Sequence, residues 1–233
     1  FKASICLHKG AESANAKSLV AIMALQTSQG DAVQVSAAGE DAEAALAALS
    51  ALLLEGCGEM VNLVGEEQQV LADSEQETLL RGVCASPGSA FGQVVQVVEP
   101  ELSISESGVG QALERAALDR ALQAAELALQ AMQAKAGSAA QAEIFRAHQE
   151  LLKDPTLLEQ AHQLLAEGKS AAFAWNRATQ ATGALFQGLG SALLAERAAD
   201  LTDVGQRVLK LILGVADSAW TLPEQAILVA EQL

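Results

Sequence analysis

The chain has 233 residues, 51% of them hydrophobic and only 3% aromatic, with no tyrosine and a formal net charge of −15. So acidic a chain excludes nucleic acid as a partner, because the phosphates would repel it, and suits docking of a basic protein. No window of about 20 apolar residues runs free of polar breaks, so no membrane insertion is expected.

The length accommodates one large domain or two small ones, and the alanine and leucine bias favours helices. There is no initiator methionine and no basic segment ahead of an apolar one, so no signal peptide is expected. Phe1 enters a strand pattern directly, so the chain is expected to begin inside a domain. Cys6, Cys57 and Cys84 are odd in number and lack metal-ligand spacing. They read as reduced thiols of a cytoplasmic protein.

Phe1, Ala3, Ile5 and Leu7 alternate with polar neighbours, the pattern of a half-buried strand. Gly10 to Asn15 reads as a turn and Ala16 to Leu25 as a short helix. Val33, Val35 and Ala37 form a second strand beyond Gly30. Asp41 is placed to cap a helix running to Leu54, with Ala45, Leu46, Leu49 and Leu53 inward and Gly56 after its end. This set is too open to cover both faces of a sheet, so more structure is expected on its N-terminal side. Residues 58–79 are mixed in character and read as a linker. Ala85 to Gly88 forms a turn, Val94, Val95, Val97 and Val98 suggest a strand, and Pro100 ends it.

A helical block follows. Leu118, Leu122, Ala125, Leu129 and Met132 recur at helical spacing, with Gly137 as the stop. A second helix spans Ala139 to Lys153, with Ile144, Phe145, His148, Leu151 and Leu152 on one face. Asp154 caps a third helix, with Pro155 in its first turn and Gly168 at its end. Ser170 caps a long fourth helix through Trp175, Leu185, Leu189 and Leu193. A last helix runs from Ala199 to Leu213, ending at Gly214, and Ala226 to Ala230 reads as a buried strand. The class is α+β, mostly helical.

Few residues stand out chemically by type alone. His148, on an apolar helical face, reads either as a hydrogen-bonded core histidine or as part of a site. His162 lies between glutamines and reads as solvated, and His8 sits on the polar face of a strand with no role. Arg197, Asp200, Asp203 and Arg207 are spaced as a ladder of helix ion pairs worth a few tenths of a kcal/mol each. The glycines of Gly82 to Gly92 lack phosphate-loop spacing and fit strand turns.

Two blocks carry a family resemblance. Ala16-Lys17-Ser18-Leu19 with Ile22-Met23, then Gly30 and Val33-Gln34-Val35, resembles the back half of HPr, a small phosphocarrier. Gly82 to Gly92 is similar to the opening strand of enzyme I, the phosphoenolpyruvate-dependent kinase of the bacterial sugar phosphotransferase system. Glu196-Arg197-Ala198-Ala199-Asp200-Leu201-Thr202-Asp203-Val204-Gly205-Gln206-Arg207 strongly resembles that family's signature. The two blocks in this order resemble the HPr/enzyme I fusions, the multiphosphoryl transfer proteins.

The resemblance implies an architecture. Residues 1–57 would be the C-terminal part of an HPr-like open-faced sandwich. Residues 108–214 would be a four-helix-type, HPr-binding bundle. It would be inserted in an incomplete α/β domain formed by 80–107 and 215–233. The resemblance also implies that phosphoryl groups pass between histidines for sugar uptake, and that both phosphorylated histidines lie outside this chain, which is then inactive alone. Leu19, Val20 and Met23 would form the carrier's apolar patch. His148, Glu150, Leu151 and Leu152 would line the docking groove, with Leu151 semi-exposed at the helix break. Arg197 would face the docked phosphohistidine, as its planar fork of donors suits phosphate. Ser18 stands where the family's regulatory serine lies; a phosphate there would add about two negative charges beside the patch. Implied partners are HPr, enzyme IIA domains and phosphoenolpyruvate. Magnesium and homodimerisation would belong to an absent C-terminal domain, with no cofactor in this part. The alternative is a non-enzymatic α-helical adaptor or regulatory protein-binding domain.

Overall fold

A computed structural model describes residues 1–28, 30–56, 88–96, 102–189, 192–215 and 223–229. They fall into two compact units, one built from Phe1–Ala51 and Leu102–Asp217 and a smaller one from Leu52–Glu101 and Ser218–Leu233. Cys57, Cys84, the linker 58–79, the 82–87 part of the glycine-rich segment, Val97, Val98, Pro100 and Ala230 lie outside the described residues.

The larger unit begins with a three-stranded antiparallel sheet of order β2-β1-β3, made of β1 (Ser4–Lys9), β2 (Glu12–Asn15) and β3 (Gln34–Ala38). Strand β2 replaces the turn expected there. Glu-Ser-Ala-Asn has no β-branched residue to announce a strand. Its pairing with β1, Lys9 opposite Glu12 through Cys6 opposite Asn15, comes from the hairpin itself. Gly10 opens the two-residue loop at φ +60, which such hairpin turns require. Helix α1 (Leu19–Ala24) starts later than the expected Ala16, because Ser18 is its N-cap and accepts the Ala21 amide. Helix α2 (Ala42–Leu54) closes the sheet, with Ala3, Ile5 and Ala45 as its buried centre.

Asp41 behaves differently from the expected helix cap. Its carboxylate accepts the Lys2 and Ala3 amides, each at 2.7 Å, and so fastens the first strand beside the start of α2. Gly39 lies beneath this clasp, where a Cβ would come within 3.0 Å of the Ala3 Cα. Phe1 and Leu53, both expected inward, are exposed, since nothing in the described part of this layer covers them.

The rest of the unit is helical: α3 (Gln111–Ala134), α4 (Ala139–Leu152), α5 (Pro155–Ala166), α6 (Ala171–Gly188) and α7 (Ala192–Leu213). The local signals hold here. Asp154 and Ser170 cap α5 and α6 with their side chains as expected, Pro155 occupies the first turn of α5, and Ser138, not among the expected caps, caps α4. The boundary between the last two helices differs from expectation. Helix α6 ends at Gly188 and α7 starts at Ala192, because the poor helix propensity of glycine outweighs the apolar periodicity through Leu193. Ile144 and Leu185, expected inward, are about half exposed.

Helix α6 packs mainly on α7 and α5, and α3 on α4 and α7. Trp175, Phe186, Leu118, Leu129, Leu157, Leu165, Leu201, Val204 and Val208 are fully buried between them. Trp175 donates its indole N–H to the Gly205 carbonyl at 3.1 Å. A Cβ at Gly205 would press on Thr179, so glycine lets α6 and α7 approach. Glu114 ties the start of α3 to the start of α6, accepting the Val109 amide with one oxygen and the Ala171 amide with the other.

In the smaller unit, β4 (Gln93–Gln96) pairs in parallel with β5 (Ala226–Val229). Strand β5 is less buried than its apolar sequence suggests, with Leu228 and Val229 partly exposed.

Candidate functional site

The turn between α4 and α5 carries the most unusual chemistry among the described residues. Asp154 is only 2% exposed, and its carboxylate meets two different helices. Oδ1 accepts the Thr156 amide at 2.9 Å and the Leu157 amide at 3.4 Å, which caps its own helix α5. Oδ2 accepts the Val20 amide at 2.9 Å, and the Ser18 hydroxyl donates to the same carboxylate at 2.8 Å. Ser18 Oγ also lies 2.8 Å from the Thr156 hydroxyl. Asp154 thus caps α5 from within and receives the first turn of α1 from a segment 136 residues earlier.

Burying a carboxylate costs several kcal/mol unless it is well bonded. Here backbone amides and a hydroxyl fill both oxygens, and the positive end of α5 adds to them. The Val20 amide would otherwise be one of the donors that a helix start leaves unpaired. Both helix starts are therefore satisfied by one side chain.

Apolar contact surrounds this polar point. Val20 is 2% exposed and belongs to the same buried cluster as Leu151, Leu152, Leu157 and Leu165, while Leu19 and Met23 pack against that cluster. The structure thus brings together Leu19, Val20, Met23, Leu151 and Leu152. It corrects one expectation: Leu151 is 3% exposed rather than semi-exposed. The break after Leu152 does not lay that side chain open, because α1, α5 and α6 converge there. Ser18 is wholly buried, so in this arrangement its hydroxyl is closed to a modifying enzyme.

A second polar group lies between α4 and α7. His148, 8% exposed, places Nε2 at 3.4 Å from Asp200 Oδ1, and Arg197 donates to Asp200 Oδ2 at 2.8 Å. Asp200 thus joins the two residues singled out by sequence. Arg197 keeps about 41% of its side chain in solvent. Glu150 is exposed on the outer side of α4. Lys153, next to the turn, pairs with Glu126 of α3 at 2.6 Å, and that carboxylate raises the lysine's pKa.

The other two histidines are elsewhere. His8 bonds Ser36 across the sheet at 2.7 Å. His162 is only partly in solvent, against expectation: its Nε2 is buried without a hydrogen-bond partner among the described residues. Among those residues no group of three or more His, Cys, Asp and Glu side chains could hold a metal ion, and no helix is long and apolar enough to cross a membrane.

The sequence shows Asp154 as a helix cap and Asp200 as an ion-pair partner on the helix of Arg197, but not the second role of Asp154, the part of Thr156 or the contact of Asp200 with His148. A capping aspartate announces its own helix, three residues away. Nothing local announces a partner more than a hundred residues off.

Known proteins share these parts. Residues 81–197 match the family model of the PEP-utilising enzyme, N-terminal, and residues 1–55 match that of the PTS HPr component phosphorylation site. A multiphosphoryl transfer protein of Rhodobacter capsulatus is 35% identical over the whole chain, which spans 30% of that relative's length. The PEP-dependent dihydroxyacetone kinase, phosphoryl donor subunit DhaM, of Klebsiella michiganensis is 30% identical, again over the whole chain and 47% of its own length. An NMR solution structure of Enzyme I superposes with a TM-score of 0.52 at 29% identity, covering 66% of each chain.

Proposed function

The chain belongs to the PEP-utilising enzyme family, joined to an HPr-type segment, and on that premise we propose that it is the carrier-docking part of a phosphoenolpyruvate-protein phosphotransferase. In this reading the whole protein moves a phosphoryl group from phosphoenolpyruvate to an enzyme histidine. The group then passes to the HPr histidine, and from there to an enzyme IIA acceptor for sugar uptake. The helical bundle α3–α7 is the platform and the segment around α1 is the carrier's docking face. Such transfer depends on positioning and charge stabilisation rather than on a new covalent device. A platform that fixes the carrier at one carboxylate suits that need.

The observation that carries the proposal is the seat of α1. Ser18 and the Val20 amide meet Asp154, while Val20, Leu19 and Met23 meet the cluster containing Leu151 and Leu152. Arg197 lies on α7, held by Asp200, with part of its guanidinium in solvent. There it could turn to a phosphate on an arriving histidine, with His148 taking up the freed Asp200 oxygen. Glu150, exposed on α4, supplies acidic rim for a basic carrier.

The three histidines of this chain are not the phosphate carriers in this proposal. His8 is engaged with Ser36, His148 with Asp200, and the His162 Nε2 is buried. Magnesium would serve the phosphoenolpyruvate-binding part of the whole protein, and no step here runs through it. Homodimerisation and a cytoplasmic location complete the proposal.

The test uses the full-length gene product with radiolabelled phosphoenolpyruvate. Acid-labile label should appear on histidines outside residues 1–233, and transfer between them should drop at least tenfold in Asp154→Ala. Label on His8, His148 or His162, or unchanged transfer in that variant, contradicts the proposal.

A further inference from the structure

Resting on the docking reading above, we infer that the bundle's carrier seat is filled by the chain's own carrier segment and is thereby closed to free carriers in solution. The seat is occupied in this structure by residues of the same polypeptide. Ser18 and Asp154 share a buried hydrogen bond, Val20 is 2% exposed, and α1 touches α4, α5 and α6 at once. The apolar floor of the seat is covered: Leu151, Leu152 and Leu157 are each at most 3% exposed.

Physical chemistry makes this occupancy persistent. Both partners belong to one chain, so their encounter is intramolecular, at an effective concentration of the order of millimolar. A free carrier of equal intrinsic affinity must compete with that concentration. Its apparent binding is weakened by a factor on the order of 10²–10³ if the intrinsic dissociation constant is micromolar. The Val20 amide adds a penalty on opening. When α1 leaves, Asp154 loses two of its donors and a buried carboxylate is left underbonded. The seat therefore favours its tethered occupant over an open state waiting for another.

The expected signature is a mutation in the carrier segment that increases binding of a separate carrier. Val20→Asp places a charge against a buried apolar cluster and drives α1 off the bundle without touching any bundle residue. Fluorescently labelled intact HPr is titrated into the wild-type 233-residue chain and into Val20→Asp. Met23→Asp, at a partly buried position, serves as a second variant. Circular dichroism checks that the helices remain. Labelled HPr should bind both variants at least tenfold more tightly than it binds the wild type. Equal binding by wild type and variants overturns this inference alone, since the seat would then be open already. Binding by none overturns it together with the docking reading. Sedimentation of the wild type should show a monomer; a dimer held through α1 of a second copy also overturns it.

Discussion

The two parts of the larger unit reach order by different means. The helical bundle buries Trp175, Phe186 and a set of leucines and valines completely, and its α4, α5 and α6 each start on a side-chain cap. Among the described residues, the buried centre of the sheet and α2 is Ala3, Ile5 and Ala45, with Val35 and Leu49 partly buried against it. Helix α2 is apolar almost throughout, yet Leu52, Leu53 and Leu54 are exposed. The best-packed residue of α1, Val20, belongs to the bundle's core rather than to that of the sheet. The bundle carries its own stability, and the carrier segment draws part of its order from the bundle.

Trp175 separates the two parts most strongly. Its replacement by alanine leaves a large cavity and removes the indole's hydrogen bond to the Gly205 carbonyl, a cost of about 3–5 kcal/mol. Urea unfolding followed by helical signal should show that loss across the bundle, and a loss below about 1 kcal/mol would mean that the core lies elsewhere.

Asp154→Asn sharpens the comparison with a smaller effect. Asparagine still caps α5 well, but the charge-assisted bonds to Ser18 and Val20 weaken, by about 1–3 kcal/mol. The bundle's unfolding midpoint should barely move while α1 becomes susceptible to proteolysis. Equal loosening of both parts would show that α1 and the bundle unfold as one and would contradict the separation.

These effects were unevenly legible in the sequence. Asp154, Pro155 and Ser170 announce two helix starts, because a cap and its helix are neighbours in the chain. The end of α6 is hidden in the sequence, because apolar spacing continues past Gly188 through Leu193. Strand β2 was invisible, since its ladder with β1 is a tertiary choice that Glu12–Asn15 do not encode by propensity. The meeting of Ser18 with Asp154 needed the fold itself. The family resemblance supplied Val20, Met23, Leu151 and Leu152 as docking residues. It did not supply their joint burial or the single carboxylate beneath them.

The smallest effect separates the parts by pH. The Lys2 and Ala3 amides hold the Asp41 carboxyl below its ordinary pKa. An aspartate depressed in the folded state stabilises the fold above its unfolded pKa of about 3.9, and that contribution is lost as pH falls through the lower folded value. The carrier segment should therefore loosen below about pH 4 in the wild type, and Asp41→Asn should flatten that acid limb without altering the bundle's. An unchanged acid limb in the variant would remove Asp41 from the account.

The central claim is that Asp154 holds the first turn of α1 on the bundle, and the amide of Val20 reports on it directly. That N–H sits at a helix start, where no carbonyl of α1 can accept it, so its hydrogen bond goes to Asp154 at 2.9 Å. Hydrogen exchange measured by NMR on the wild-type chain should find the Val20 amide protected. In Asp154→Ala the protection of that amide should fall at least tenfold while Leu118 and Val208 in the bundle stay slow. A Val20 amide that exchanges at the free-chain rate in the wild type would contradict the account.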